Sequence, residues 1–128
     1  MKIGELDPRR IIALSLGDSL ATAARLMSDE EIGALAVFDS HGLRGVFSER
    51  DLVRALADDV DLREEIDNYM TTAAVVIDID RSLDEAIDHM DEYGVRHLVV
   101  TRGGDPVGMI SARDVISALA DRGSVKVA

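Results

Sequence analysis

The chain has no cysteine, few aromatic residues and a shortage of positive charge. Without cysteine, a disulfide scaffold, a thiolate metal site and cysteine-based catalysis are excluded. Aromatic residues make up 3% of the chain, which argues against an aromatic platform that stacks nucleic-acid bases. The 14 Lys and Arg residues are outnumbered by 25 Asp and Glu residues, and the net charge is -11. This balance argues against binding to nucleic acid and against docking on anionic lipid.

Long apolar runs are also missing. No stretch approaches the ~20 apolar residues that cross a membrane, and the segment Met1–Glu5 lacks the apolar run of a signal peptide. We therefore expect a soluble, cytoplasmic protein that binds no membrane. The length of 128 residues, with 47% hydrophobic residues, suits one compact domain or two small repeats that share a core.

The chain contains an internal repeat with an offset of 63 residues. Gly45–Leu52 (GVFSERDL) aligns without a gap with Gly108–Val115 (GMISARDV), and apolar positions before these segments align as well. The copies span residues 11–57 and 74–120. A single copy of this length would be marginally stable, so we expect the two to pack together.

Each copy predicts the element order β-α-β-β-α. β-branched and apolar runs predict the strands, and apolar residues at helical spacing predict the helices. Ser82 with Glu85 predicts a capping box at the start of a helix. The predicted strands lie at Ile11–Leu14, Ala34–Phe38 and Val46–Phe47, and at Val75–Ile77, His97–Val100 and Met109–Ile110. We therefore expect an α+β fold of two tandem repeats packed about a pseudo-twofold axis.

The expected domain boundaries follow this repeat. We place the first domain at residues 1–60, with an N-terminal lead-in, and the second at residues 61–128. Leu62, Ile66 and Tyr69 stand at helical spacing between the copies and predict a connecting helix over Asp58–Thr72. From Gly123 onward we expect the chain to fray.

The most informative segment is a strand, then Ser-x-Arg-Asp, then a helix, and it occurs twice. The serine stands where a helix N-cap belongs, so one interpretation is an ordinary helix start. The other is ligand binding at the free N–H groups of the helix. The hydroxyl could bind a phosphate or sugar, the carboxylate a cis-diol, and the arginine a phosphate. The residues are Ser48, Arg50 and Asp51 in the first copy, and Ser111, Arg113 and Asp114 in the second.

Several segments resemble one known family, the CBS (cystathionine β-synthase) domain. Gly45–Asp51 and Gly108–Asp114 match its closing Gly-h-h-Ser-x-x-Asp motif, where h is apolar, and Met70-Thr71 resembles its frequent Met-Thr lead-in. Ile32–Val37 and Val95–Val100 are similar to its central strand. The pair of repeats therefore resembles a stand-alone Bateman module.

This resemblance implies a function and a site. It implies a regulatory module without catalysis that senses AMP, ADP or ATP in clefts between the repeats, with S-adenosylmethionine or NADH less favoured and no cofactor required. Asp51 and Asp114 would hold the ribose hydroxyls, and Ser48 and Ser111 would lie near ribose and phosphate. The adenine slots would be formed by Ile12, Ala13 and Leu14 and by Val75, Val76 and Ile77.

The second copy also carries two basic residues, Arg96 and His97, on its central strand. In the family, bases at such positions often reach a phosphate across the axis, which would make the Asp51 cleft the tighter phosphate site. The alternatives are a satisfied histidine at a strand start and an arginine paired with a nearby acid. The first copy has Leu6-Asp7-Pro8 in place of Met-Thr, so its adenine contacts are less secure.

Other classes of function have little support in the sequence. The three histidines lack the spacing of a metal site, no Walker loop occurs, and no general base stands near Ser48. The resemblance implies a homodimer and an unidentified regulated protein. The apolar faces of the second helices are either dimer contacts or internal core, and their residues are Leu52, Leu56, Val115 and Leu119. The alternative function is a structural or scaffolding module with empty clefts and an acidic surface that binds a partner protein.

Overall fold

The computed structural model describes residues 1–72 and 74–121, and it divides the chain into two compact units. The first unit is Ile12–Ala74, and the second unit is Met1–Ile11 together with Val75–Ala128. The fraying expected from Gly123 onward lies outside the described residues.

The first unit has a four-stranded sheet with the order β1-β2-β3-β4, in which β1 and β2 are parallel and the other neighbours are antiparallel. A short 3-10 helix, Ile66–Asn68, precedes the last strand. The elements are β1 (Ala13–Ser15), α1 (Leu20–Glu30), β2 (Ala34–Asp39), β3 (Gly42–Ser48), α2 (Glu49–Ala57) and β4 (Thr71–Thr72). The core joins Leu35, Val37 and Phe47 of the sheet to the buried faces of both helices.

The second unit has a three-stranded sheet with the order β5-β6-β7, and its first two strands are parallel. The elements are β5 (Val76–Asp78), α3 (Leu83–Tyr93), β6 (His97–Arg102), β7 (Asp105–Ser111) and α4 (Ala112–Asp121). A 3-10 helix, Ile3–Leu6, belongs to the same unit. The predicted α+β class and the β-α-β-β-α order are confirmed in both units.

The lead-in segments pack on cores that the sequence repeat does not indicate. Ile3 is fully buried in the core of the second unit, and its N–H donates to the carbonyl of Arg81 at 2.8 Å. Ile66 is fully buried in the core of the first unit. The boundaries at residues 1–60 and 61–128 follow the sequence repeat, whereas the compact units divide after residues 11 and 74.

The predicted connecting helix is wrong. Residues 58–72 contain the 3-10 helix Ile66–Asn68 and the two residues of β4. The carbonyls of Leu62 and Glu64 accept hydrogen bonds at 2.9 Å from the N–H groups of Ala21 and Leu20, respectively. These N–H groups open α1 and have no partner inside their own helix. A helix over 58–72 would use the same carbonyls for its own hydrogen bonds. The hydrogen bonds to α1 therefore compete with the helix that the apolar spacing predicts.

The predicted capping box at Ser82 is half formed. The Ser82 hydroxyl accepts the N–H of Glu85 at 3.2 Å. The Glu85 carboxylate, however, pairs with the guanidinium of Arg81 at 3.0 Å, a helix neighbour four residues away. The other carboxylate oxygen of Glu85 accepts the hydroxyl of Ser82 at 3.4 Å instead of its N–H. Within the described residues, no helix is long and apolar enough to cross a membrane.

Candidate functional site

Each sheet packs one face against its helices. The motif serine lies in the last row of residues on the opposite face. Side chains alternate along a strand, so the residues between the core positions share this second face. The strand registers place Ala13, Ala36 and Val46 in one row, with Ala34 and Ser48 in the next. In the second unit the matching rows hold Val76, Val99 and Met109, then His97 and Ser111. Helices α2 and α4 begin directly after Ser48 and Ser111.

In the first unit, the Asp51 carboxylate is buried and has partners at both oxygens. Its side chain is only 1% exposed. Its Oδ2 accepts the N–H of Ser48 at 2.8 Å and the Ser48 hydroxyl at 3.1 Å, while its Oδ1 accepts a hydrogen bond from the Arg54 guanidinium. The N–H of Asp51 donates to the Ser48 hydroxyl at 3.3 Å, which completes a capping box. The predicted helix start is therefore confirmed here.

In the second unit, the matching Asp114 carboxylate is exposed. Its Oδ2 accepts the N–H of Ser111 at 2.8 Å, and its N–H donates to the Ser111 hydroxyl at 3.1 Å. The residue one turn later is Ser117, where the first unit has Arg54. Asp114 and Ser117 line an open groove of about 340 Å³ between the amino-terminal segment and α4. The two motifs share a fold but differ in the access to their carboxylates.

The three residues predicted for each adenine slot point in different directions. Leu14 and Ile77 are buried in the two cores. Ala13 and Val76 are exposed on the face that carries the motif serines. The first member of each trio, Ile12 or Val75, is half-buried against its core. The structure therefore brings one side chain of each trio to the face of the motif, and contacts from Leu14 and Ile77 would use backbone groups.

The predicted basic residues are placed in three ways. Arg50 and Arg113 are exposed in the first turns of α2 and α4. Arg96 is exposed, and its carbonyl accepts the N–H of Ala112 at the start of α4 at 2.8 Å. His97 is half-buried and lies opposite Ser111 in the β6–β7 ladder. The predicted approach of Arg96 and His97 to a phosphate near Asp51 stays a prediction.

Sequence reasoning did not identify Arg54 as part of the first motif. The alignment of the two copies could have identified it, because Arg54 aligns with Ser117 whereas Ser48 and Asp51 align with identical residues. The i, i+3 spacing from Asp51 also puts the two side chains on one face of a helix.

Within residues 1–72 and 74–121, no three His, Asp or Glu side chains are grouped to hold a metal ion.

Comparison with known proteins agrees with the repeat. The model of the CBS domain matches residues 3–58 and again residues 64–121. An uncharacterized 17.7 kDa protein of Acidianus ambivalens is 30% identical over 122 residues, which cover 94% of this chain and 74% of that protein. This chain spans less than half the length of several other curated relatives that it matches.

Two solved structures show a similar fold. The CBS-domain containing protein ATU1752 from Agrobacterium tumefaciens has a TM-score of 0.83 at 29% identity, over 91% of this chain and 92% of that one. The CBS domain protein PAE2072 from Pyrobaculum aerophilum, complexed with AMP, has a TM-score of 0.82 at 21% identity, over 94% and 99% of the two chains. With two matches of the family model and two copies of its motif at the starts of matching helices, this chain belongs to the CBS domain family.

Proposed function

We propose that this chain is a regulatory module without catalysis of its own that binds an adenosine nucleotide at its Ser-x-Arg-Asp motifs. The observation that carries the proposal is the repeated placement of a serine and an aspartate at a helix start, at the end of a sheet face. PAE2072, which shares this fold, is complexed with AMP. AMP, ADP and ATP are the favoured ligands, ahead of S-adenosylmethionine and NADH.

The chemistry of this placement suits a nucleoside with a phosphate. Ala13 and Val76 give each face an exposed apolar position next to the motif, which fits a base. A carboxylate such as that of Asp114 can accept two hydrogen bonds from the ribose diol. The dipole at a helix N-terminus favours a phosphate, and Arg50 or Arg113 adds a positive charge.

The proposal is tested with protein that has been stripped of bound ligand. We expect AMP, ADP or ATP at about 100 times its Kd to add roughly 2.7 kcal/mol of stability, a rise in the unfolding midpoint of about 5 °C. GTP should give a much smaller rise, and S-adenosylmethionine and NADH complete the panel. Asp114→Asn should reduce the rise, whereas Asp80→Asn, an exposed turn aspartate, serves as the matched control. No rise with any ligand, in protein shown to be ligand-free, would reject the proposal.

One observation favours the alternative, a scaffolding module. The Asp51 carboxylate already has partners at both oxygens, so the first motif is complete as a helix cap without a ligand. Under this alternative, Asp51→Ala and Asp114→Ala would cost about 1 kcal/mol each as lost caps, and no nucleotide would raise the unfolding midpoint.

A homodimer, a cytoplasmic location and an unidentified regulated protein belong to the same proposal. The homodimer and the regulated protein rest on the resemblance, and the location rests on the composition of the chain. A ligand can signal to such a partner only if it binds one arrangement of the module more tightly than another.

A further inference from the structure

We infer that Arg54 closes the first motif to a ribose diol, and that the open motif is the one at Asp114. This inference rests on the proposed function and names the position that decides which motif is occupied. It is carried by the different environments of two carboxylates that the repeat makes equivalent.

At the first motif, a diol has to compete with internal partners. Ser48 supplies two donors to Oδ2 of Asp51, and Arg54 supplies a charged donor to Oδ1. The hydrogen bond from the guanidinium joins two opposite charges, so it adds a coulombic attraction that a neutral donor lacks. A neutral ribose hydroxyl that displaced the guanidinium would replace the stronger bond with a weaker one.

The position of Arg54 makes it a cover for Asp51. Its side chain is 62% exposed, while the carboxylate that it contacts is 1% exposed. Both residues lie on α2 at i and i+3, so no other segment has to move for the pair to form. Arg54 therefore lies between Asp51 and the solvent from which a ligand would arrive.

The second motif lacks this cover. Ser117 stands at the aligned position, and its short side chain carries no charge to pair with Asp114. Within residues 1–72 and 74–121, no side chain donates to Oδ1 of Asp114, and this carboxylate opens onto the groove of about 340 Å³. Glu5 and Asp121 line the same groove. Three carboxylates repel a phosphate, so the groove suits the uncharged sugar of the ligand.

The test exchanges the two positions. Ligand-free wild-type protein, Arg54→Ser and Ser117→Arg are each titrated with AMP by calorimetry, and NMR follows the amide signals of Asp51 and Asp114. We expect AMP to shift the Asp114 signal in the wild type and to leave the Asp51 signal nearly unchanged. Arg54→Ser should strengthen binding at Asp51 about tenfold, and Ser117→Arg should weaken binding at Asp114 about tenfold, as expected for a competing charged hydrogen bond.

Arg25→Ser is the matched control, because Arg25 is an exposed arginine on α1 and belongs to neither motif. Equal shifts at Asp51 and Asp114 in the wild type, or unchanged AMP binding in both exchange variants, would overturn the inference and leave the proposed function standing. If neither AMP nor any other ligand of the panel binds any of the proteins, the proposed function and the inference both fall. Ser117→Arg leaves the buried Asp51 untouched, so this arm decides alone if Arg54→Ser does not fold.

Discussion

The motif glycines, Gly45 and Gly108, lie directly under a crossing backbone. A Cβ atom at Gly45 would stand 2.2 Å from the carbonyl oxygen of Thr71, and one at Gly108 would stand 2.8 Å from that of Arg9. The first crossing is the pairing of β3 with β4, and the second includes a 2.9 Å hydrogen bond from the N–H of Met109 to Arg9. Glycine is needed at these positions because a side chain would block the lead-in segments.

Replacing these glycines should destabilise the fold according to the space available. We expect Gly45→Ala to lower the free energy of unfolding by about 3 kcal/mol and Gly108→Ala by about 1–2 kcal/mol, in the range of overpacked cores. Gly4→Ala is the control, since its Cβ would meet the side chain of Ile79 at 3.2 Å, and a side chain yields more easily than backbone. Urea unfolding measures all three. The explanation is wrong if Gly45→Ala unfolds at the same urea concentration as Gly4→Ala.

Asp61 offers a test of electrostatics at a single residue. Its side chain accepts hydrogen bonds from the guanidinium and the backbone N–H of Arg63, at 2.8 and 2.9 Å. These bonds lower the pKa of Asp61 from 3.8 to about 2. A lowered pKa in the folded state means that the pair favours folding above the ordinary pKa, and that this contribution is lost as the pH falls through about 2.

We therefore expect Arg63→Gln to raise the pKa of Asp61 toward 3.8, as followed by NMR titration of its carboxyl group. The stability of the fold should hardly change, because both side chains are exposed and such pairs contribute little. Arg10→Gln, at another exposed arginine, should leave the Asp61 titration where it is. A pKa near 3.8 in the wild-type protein would contradict the pairing.

At the scale of elements, local patterns predict the strands and helices well. Ser48 and Ser82 each cap a helix as the sequence indicates, because an N-cap acts within four residues of the chain. Gly42 has a φ of 117° where β3 begins, a conformation that glycine adopts without strain. The join at 58–72 could not be predicted locally, because its carbonyls serve α1 rather than their own segment.

The sequence also predicts the site only in part. The repeat identifies Ser48, Asp51, Ser111 and Asp114, since identical residues recur at a fixed offset. It does not reveal that one carboxylate is buried and the other exposed. Nor does it reveal that Arg54 donates a hydrogen bond to the buried carboxylate.

The expected homodimer contacts change once burial is known. Val115 is a core residue, and Leu52 and Leu119 are half-buried against their cores. The exposed apolar residues of α2 and α4 are Val53, Leu56 and Ile116. A homodimer that uses these helices would therefore keep Leu56 as a contact and use Val53 and Ile116 in place of the other three expected residues.

If the homodimer forms in this way, light scattering should give twice the 13.9 kDa mass of one chain. We expect the double variant Val53→Glu/Leu56→Glu to elute as a monomer, because like charges placed in an apolar contact are costly to bury. Val107→Glu, an exposed residue of β7, is the control and should leave the mass unchanged. A wild-type protein that is monomeric would count against the homodimer.

At the scale of the whole molecule, the core of each compact unit includes an isoleucine that precedes the repeat copy of the other unit. Ile3 and Ile66 stand 63 residues apart, both lie in short 3-10 helices, and both are fully buried. Ile3 belongs to the core around Leu98 and Ile66 to the core around Phe47. No local pattern indicates which core such an isoleucine joins. The sequence alone therefore could not reveal that each one packs in the core of the other repeat copy.

Cavities at these two positions should weaken different units. We expect Ile3→Ala to raise hydrogen exchange mainly within Val75–Asp121, and Ile66→Ala to raise it mainly within Ile12–Thr72. Each variant should cost about 2–5 kcal/mol, as for other buried isoleucine truncations. Exchange that rises within Ile12–Thr72 in Ile3→Ala, with little change beyond Val75, would contradict the assignment of Ile3 to the second unit.

The division of the chain also sets an order of folding during translation. All residues of the first unit, 12–74, emerge from the ribosome as one continuous stretch. The eleven residues before them are made earlier, yet their partners Ile79 and Arg81 are made about seventy residues later. At roughly 5–20 residues per second, this amino-terminal segment waits several seconds for its own core. Residues 1–11 are thus made before the first unit, but their own core is completed only after it.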